Sequence, residues 1–237
     1  MSLQCPKIGR QLAGLAILGI TLTICSPASD FLRDYKGTPY EDARYHGGAQ
    51  KIPGRVQCAF FDRGGEGVAY HDTTPKNQGS GGLNPADGSY LNEFRIGEAV
   101  DTSYTKFHDA IDNNPYNVVE LEENQIYVGW TEPGEWFKIT VDAAHEGTYS
   151  ADLLYTSNRG GTISVDSVGK DGVSTTGPIS IVSTANSADP LAWRQWHHWN
   201  VMKGAATLKL SAGKNILTVH VLTQGNMNLA TLQFKAL

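Results

Sequence analysis

Disulfides, charge and helical pattern are all scarce in this sequence, and each scarcity removes a class of answer. There are 3 cysteines in 237 residues, and two of them, Cys5 and Cys25, fall within the first 25 positions. Cys58 is then left without a partner, which excludes a disulfide framework. It sits in the apolar stretch Val56 to Phe61 and reads as a small buried hydrophobe rather than a nucleophile. Charged residues make up only 18%, with 19 Lys+Arg against 24 Asp+Glu, so the basic footprint of a nucleic-acid binder is missing. No run beyond the first segment has helical periodicity, and no βαβ alternation appears, which excludes a Rossmann-type enzyme. An apolar share of 40% is enough for a core and argues against disorder.

The first segment reads as a secretory signal. Lys7 and Arg10 precede the uncharged apolar run Leu12 to Ile24, which is shorter than the roughly 20 residues a spanning helix needs. Two cleavage readings stay open: a lipoprotein-type cut leaving Cys25 as the acylated first residue, and an ordinary cut after Ala28. The tetrapeptide Leu22-Thr23-Ile24-Cys25 has Ile24 where a lipobox usually carries a small residue. The expectation is an exported protein, either a cell-envelope lipoprotein or secreted, with no transmembrane span in the mature chain. Removing residues 1–25 leaves 17 positive against 24 negative side chains, a charge of −7.

What the sequence does have is period-two alternation. Phe137, Ile139 and Val141 alternate with Lys138, Thr140 and Asp142, the pattern of a half-buried strand. The same pattern recurs through Tyr149, Ala151, Leu153 and Tyr155, through Ile163 and Val165, and through Leu208 and Leu210. It returns in Leu217, Val219 and Val221, and last in Ala230, Leu232 and Phe234. Between the runs lie Glu146-Gly147, Asn158 to Gly161, Gly169 to Gly172 and Ala212 to Asn215, residue types that suit tight turns. Short strands at such spacing predict an all-β, antiparallel, jelly-roll-like β-sandwich. The division expected is a signal segment at 1–25, an extended lead-in or tether at 26–51, and the sandwich at 52–237. A long, irregular, Gly- and Asn-rich insertion occupies about 76–126.

All five tryptophans fall in two short segments, Trp130 to Trp136 and Trp193 to Trp199. Trp136 opens an alternating strand and is assigned to the core. Trp130 and Trp193 stand among turn residues, where an exposed ring suits the C–H face of a sugar while polar neighbours bond its hydroxyls.

In order along the chain come Ile52 to Gln57 with Phe61 to Asp72, then Phe94-Arg95 with Val100-Asp101, then Val128 to Trp136. Trp193 to Trp196, Leu208 to Gly213 and Gly225 to Leu229 complete the series. Together these resemble the carbohydrate-binding modules of family 6, and the similar family 35, β-sandwich modules of secreted glycan-degrading systems. The resemblance implies a non-catalytic glycan binder working beside glycan-degrading enzymes. It implies that two loop aromatics and an asparagine grip a sugar, here Trp130, Trp193 and Asn228, with Glu66, Tyr70 and Glu135 as weaker matches. Family members commonly hold a structural calcium through two glutamates in the first strand. Here those positions are Gln57 and Ala59, which leaves the metal unknown.

Two other classes stay open. A glycoside hydrolase or lyase needs a pair of carboxylates; Glu66, Asp72, Glu132 and Glu135 are available in the loops, and the catalytic groups of such an enzyme are expected in the 76–126 insertion. A surface protein-interaction module would use the aromatic loops for contact. His197 and His198, if on a strand, point to opposite faces and so cannot share one metal; a structural or ligand-bonding role is expected for them.

Overall fold

A computed structural model describes residues 27–237. The signal segment, with Cys5 and Cys25, lies outside the described residues. The chain begins with a two-turn helix, α1 (Pro27–Asp34), that sequence periodicity had not suggested. Pro27 at its start and Arg33 in its last turn are residue types that suit those ends. No described helix is long and apolar enough to cross a membrane.

Thirteen strands follow among the described residues. They are β1 (Gln50–Ile52), β2 (Gly54–Gln57), β3 (Tyr70–His71), β4 (Thr102–Tyr104), β5 (Ile126–Val128), β6 (Trp136–Ala143) and β7 (Gly147–Ser157). Then come β8 (Gly161–Gly169), β9 (Gly172–Thr175), β10 (Ile179–Ile181), β11 (Asn200–Leu210), β12 (Gly213–Thr223) and β13 (Met227–Ala236). One sheet has the order β1-β6-β12-β8-β10, with β3 added on β6 and β9 on β8; the other runs β11-β7-β13-β5-β4, with β2 on β13. Pairing is antiparallel throughout except that β1 runs parallel to β6. The expected antiparallel β-sandwich is the fold, and each alternating run forms a strand.

Strand parity decides what goes inside, because successive side chains point to opposite faces. Phe137, Ile139, Val141 and Ala143 of β6 are buried, and they meet Leu153, Tyr155, Leu208, Leu232 and Phe234 from the facing sheet. The same parity corrects the assignment of Trp136. It shares a face with Lys138 rather than with Ile139, is only half-buried, and has the Lys138 ammonium 3.4 Å from its ring centre. Cys58 is fully buried and unpaired, and burial pushes its thiol up to about 12, as an inert core residue should behave.

The alternation in β13 also breaks where the sequence pattern ran straight through. A bulge between Leu229 and Thr231 inserts one extra residue. Met227 and Leu229 face the core before it and Leu232 and Phe234 after it, while Ala230 joins a second small core on the outer side with Tyr127 and Trp199. Val119 and Leu121 from the insertion close over that second core. The insertion therefore covers part of the outer face of the six-stranded sheet.

The stretch from Tyr35 to Gly48 has almost no regular structure but is bound to the sandwich. Tyr35 Oη donates to Asp62 Oδ2 at 2.8 Å, Thr38 and Arg63 exchange both backbone bonds, and Tyr40 is buried.

A candidate ligand cleft

The cleft starts from parity on β5 and β13. Ile126 and Val128 point into the core, so Tyr127 between them points out; Met227 and Leu229 do the same for Asn228. Asn228 Nδ2 donates to Thr156 Oγ1 at 2.9 Å and lies 3.0 Å from His197 Nδ1. Its side-chain carbonyl sits against the backbone of Gly129, where an added Cβ would come within 2.7 Å. Only glycine leaves that room. Gly129→Ala is expected to push Asn228 off its partners, lowering ligand affinity at least about tenfold for roughly 1–3 kcal/mol of stability; calorimetric titration beside thermal melting checks both.

Trp130, next in the chain, has φ 48°, a left-handed conformation that a bulky residue rarely adopts. Its neighbours impose it. Gly129 N donates to Asp101 O at 2.9 Å, and Thr131 O accepts from Asn226 N at 2.7 Å. The backbone of Gly79, from the insertion, lies against the ring, for a Cβ there would be 3.0 Å from Trp130 Cζ3. Strain of this kind persists where the surroundings over-determine it, commonly at ligand sites.

Trp193 is 58% exposed on the short 3-10 turn Ala192–Arg194. The turn hangs on a buried ion pair. Arg194 donates from Nε to Asp189 Oδ2 at 2.7 Å and from Nη2 to Asp189 Oδ1 at 2.9 Å, a bidentate geometry. Its third arm, Nη1, reaches Ala110 O of the insertion at 2.8 Å. His198 Nε2 adds a contact of 2.9 Å to the same carboxylate, and the Arg194 guanidinium holds Asp189 far below the usual carboxylate range.

Between these walls lies a hydrogen-bonded chain that the sequence did not reveal. Asp112 Oδ1 is 2.6 Å from His197 Nε2 and accepts from Trp199 Nε1 at 2.7 Å, while Oδ2 accepts from Lys106 N at 2.6 Å. A carboxylate can only accept, so His197 carries its proton on Nε2; Nδ1 is then the acceptor facing the Asn228 amide. His197 and His198 lie in the loop before β11, not on a strand, so the opposite-face argument does not apply to them. Each is bonded to its own aspartate, Asp112 and Asp189.

The result is a cleft of about 220 Å³ with Trp130, Trp193, Trp196 and Tyr104 among its walls and Lys106, Asp112, His197 and Asn228 among its polar groups. Larger hollows exist among the described residues, including one of about 600 Å³ beside Tyr40, Arg63 and Arg95, which no tryptophan lines. Of the six residues singled out by sequence, three meet here: Trp130, Trp193 and Asn228.

The other three do not line the cleft. Tyr70 is buried in the core and accepts a bond from Ala99 N at 3.3 Å. Glu66 bonds the backbone of Asp72 at 3.1 Å and pairs with His71. Glu135 accepts from Thr73 N, Thr73 Oγ1 and Glu132 N, so it closes a turn, and burial raises its pKa. Asp72 and Glu132 lie outside the cleft as well.

The calcium positions are spent on other contacts. Gln57 Oε1 accepts from Gln125 Nε2 at 2.6 Å, its backbone is held by the side chain of Gln50, and Ala59 puts a methyl group in the core. An amide paired with an amide and a methyl do not make the oxygen cage calcium needs. Among the described residues no group of three or more His, Cys, Asp or Glu could hold a metal ion.

No family model matches the chain. No curated protein matches it either. Solved structures do show likenesses. A family 6 carbohydrate-binding module from Clostridium stercorarium in complex with cellobiose is 13% identical over 81% of this chain and 99% of that one, with a TM-score of 0.47. A β-1,3-glucan-binding family 6 module from Bacillus halodurans is 13% identical over 79% of this chain and 99% of that one, with a TM-score of 0.43. A family 43 arabinoxylan arabinofuranohydrolase from Bacillus subtilis is 14% identical, with a TM-score of 0.44, over 80% of this chain; the chain spans only 28% of that enzyme's length.

Proposed function

We propose that this protein binds a polysaccharide or oligosaccharide without cleaving it, as an exported or surface-attached accessory to glycan-degrading enzymes. The observation that carries the reading is that Trp130, Trp193 and Asn228, some 98 positions apart from first to last, line one cleft. The rings offer flat apolar faces for a sugar's C–H face, and at the floor the Asn228 side-chain carbonyl is an acceptor for a hydroxyl, its two N–H groups being taken by Thr156 and His197. Asp112, from the insertion, is the one carboxylate among the described residues lining that cleft, and Glu66, Asp72, Glu132 and Glu135 lie outside it, so no pair of carboxylates lines the seat of the sugar.

The test is a glycan array with the purified protein, its Trp130→Ala and Trp193→Ala variants, and a chelator. Each variant is expected to lose on the order of 2 kcal/mol, about 30-fold in affinity, while melting close to the parent temperature in the case of the exposed Trp193. The chelator should change nothing, and no reducing ends should be released from the bound polysaccharide. Undiminished binding by both variants removes the site; product release removes the non-catalytic reading.

A further inference from the structure

We propose that the glycan this cleft accepts carries an anionic group, a carboxylate or a sulfate ester, and that the ammonium of Lys106 receives it. The inference deepens the glycan-binding reading and rests on it. Lys106 lies two residues after the end of β4 and belongs to the insertion, so it is not one of the positions that the sequence resemblance supplied.

Three observations meet at this residue. Its backbone is fixed, because the amide donates to the buried Asp112 at 2.6 Å. Its side chain is half-buried along the cleft, with Nζ donating to the side-chain carbonyl of Asn84 and lying 4.6 Å from the centre of the Tyr104 ring. Third, among the described residues no carboxylate comes within ion-pair distance of that ammonium, whereas Lys51, Lys203, Lys209 and Lys235, all far more exposed, each have one.

An ammonium has three donors, and Asn84 takes one. The acid nearest to hand is already engaged: Asp112 is 1% exposed and accepts three N–H groups, none of them from this ammonium. Burial disfavours the charged form and lowers the Lys106 pKa, with the nearby charge of Asp112 acting in the opposite sense. A brace for Asn84 alone would not need a charge. A bound carboxylate or sulfate would supply the missing partner in a partly dry site, where a charge-assisted bond is stronger than in water. Lys106 is also the one formally cationic side chain among the cleft's walls, on a body whose mature charge is −7. The ligand therefore meets a positive point inside a negative surround.

The test uses matched ligand pairs and the full exported chain. One pair is a polyuronate and its carboxyl-reduced neutral form, the other a sulfated galactan and its desulfated form, titrated against wild type, Lys106→Met and Lys106→Arg. Wild type is expected to favour the acidic member of at least one pair about tenfold or more, and that pair names the anion. Lys106→Met should lose the preference, the acidic member falling to the affinity of the neutral one, and Lys106→Arg should keep most of it. Raising salt from about 50 to about 500 mM should weaken the acidic ligand only.

Equal binding of acidic and neutral members, or a preference that survives in Lys106→Met, overturns the inference. If neutral glycans still bind and Trp193→Ala still abolishes that binding, the glycan reading stands without it. Binding to no glycan at all overturns both.

Discussion

Replacing Asp189 by alanine should lower stability by about 3–5 kcal/mol and abolish ligand binding with it, the largest effect expected of any single change to the cleft. Asp189 is fully buried, and its two oxygens hold Arg194 bidentately, receive the Leu191 amide at 3.0 Å and contact His198. Removing it leaves a guanidinium that is 6% exposed without its counter-charge. Such a charge costs more to leave behind than the pair ever contributed over an apolar substitute. The turn that carries Trp193 loses its anchor in the same step.

Acid should narrow the difference. The Arg194 guanidinium depresses the Asp189 pKa below that of an unfolded aspartate, about 3.9. A carboxylate shifted in this direction contributes stability that is complete above the unfolded value and is lost as pH falls through the folded one. Urea melts at pH 7 should therefore separate wild type from Asp189→Ala widely, and melts below pH 4 progressively less. A difference under about 1 kcal/mol at pH 7, or parallel curves at all pH, would sink the assignment of this pair as the loop's anchor.

Asp112→Ala should act on the floor of the same cleft. Three donors, the His197 and Trp199 ring N–H groups and the Lys106 amide, would lose their acceptor together, in a site 1% exposed. At about 1–3 kcal/mol for each buried donor left unmet, a loss of roughly 3 kcal/mol or more is expected. Affinity should fall as well, since His197 would no longer be held against Asn228. Asn228→Ala is the comparison that separates the two effects, with affinity lost and a smaller change in melting. If Asp112→Ala binds as wild type does while melting lower, the aspartate supports the fold alone and His197 does not position Asn228.

The strands were legible because each carries its own signal. Alternation in β6, β7, β8 and β12 is local, and so are the Gly- and Asn-containing turns between them. Two local readings failed for local reasons. Trp136 precedes Phe137 by one position, so period two places it outside, although its size invites burial. Ala230 continues an alternation that a bulge interrupts, and a bulge changes parity without leaving a mark in apolar spacing. The cleft was half legible. Trp130, Trp193 and Asn228 stand in recognisable motifs, whereas Asp112 meets His197 across 85 positions and Arg194 meets Ala110 across 84. Nothing in the turn-like Asp112-Asn113-Asn114-Pro115 points to a histidine so far along the chain. Glu66, Tyr70 and Glu135 show the opposite error: they stand near motif positions in sequence, and hydrogen bonding assigns them to loop closure and core.

The position of β13 also dictates an order of events during synthesis. This strand, Met227–Ala236, pairs with β7, β5 and β2, which do not pair with one another. Until these residues emerge, the six-stranded sheet has no member to join its two halves, and Asn228 is absent from the cleft. Contacts that span so much of the chain form slowly. A nascent chain stopped short of Met227 thus remains an open set of hairpins whose cleft is incomplete.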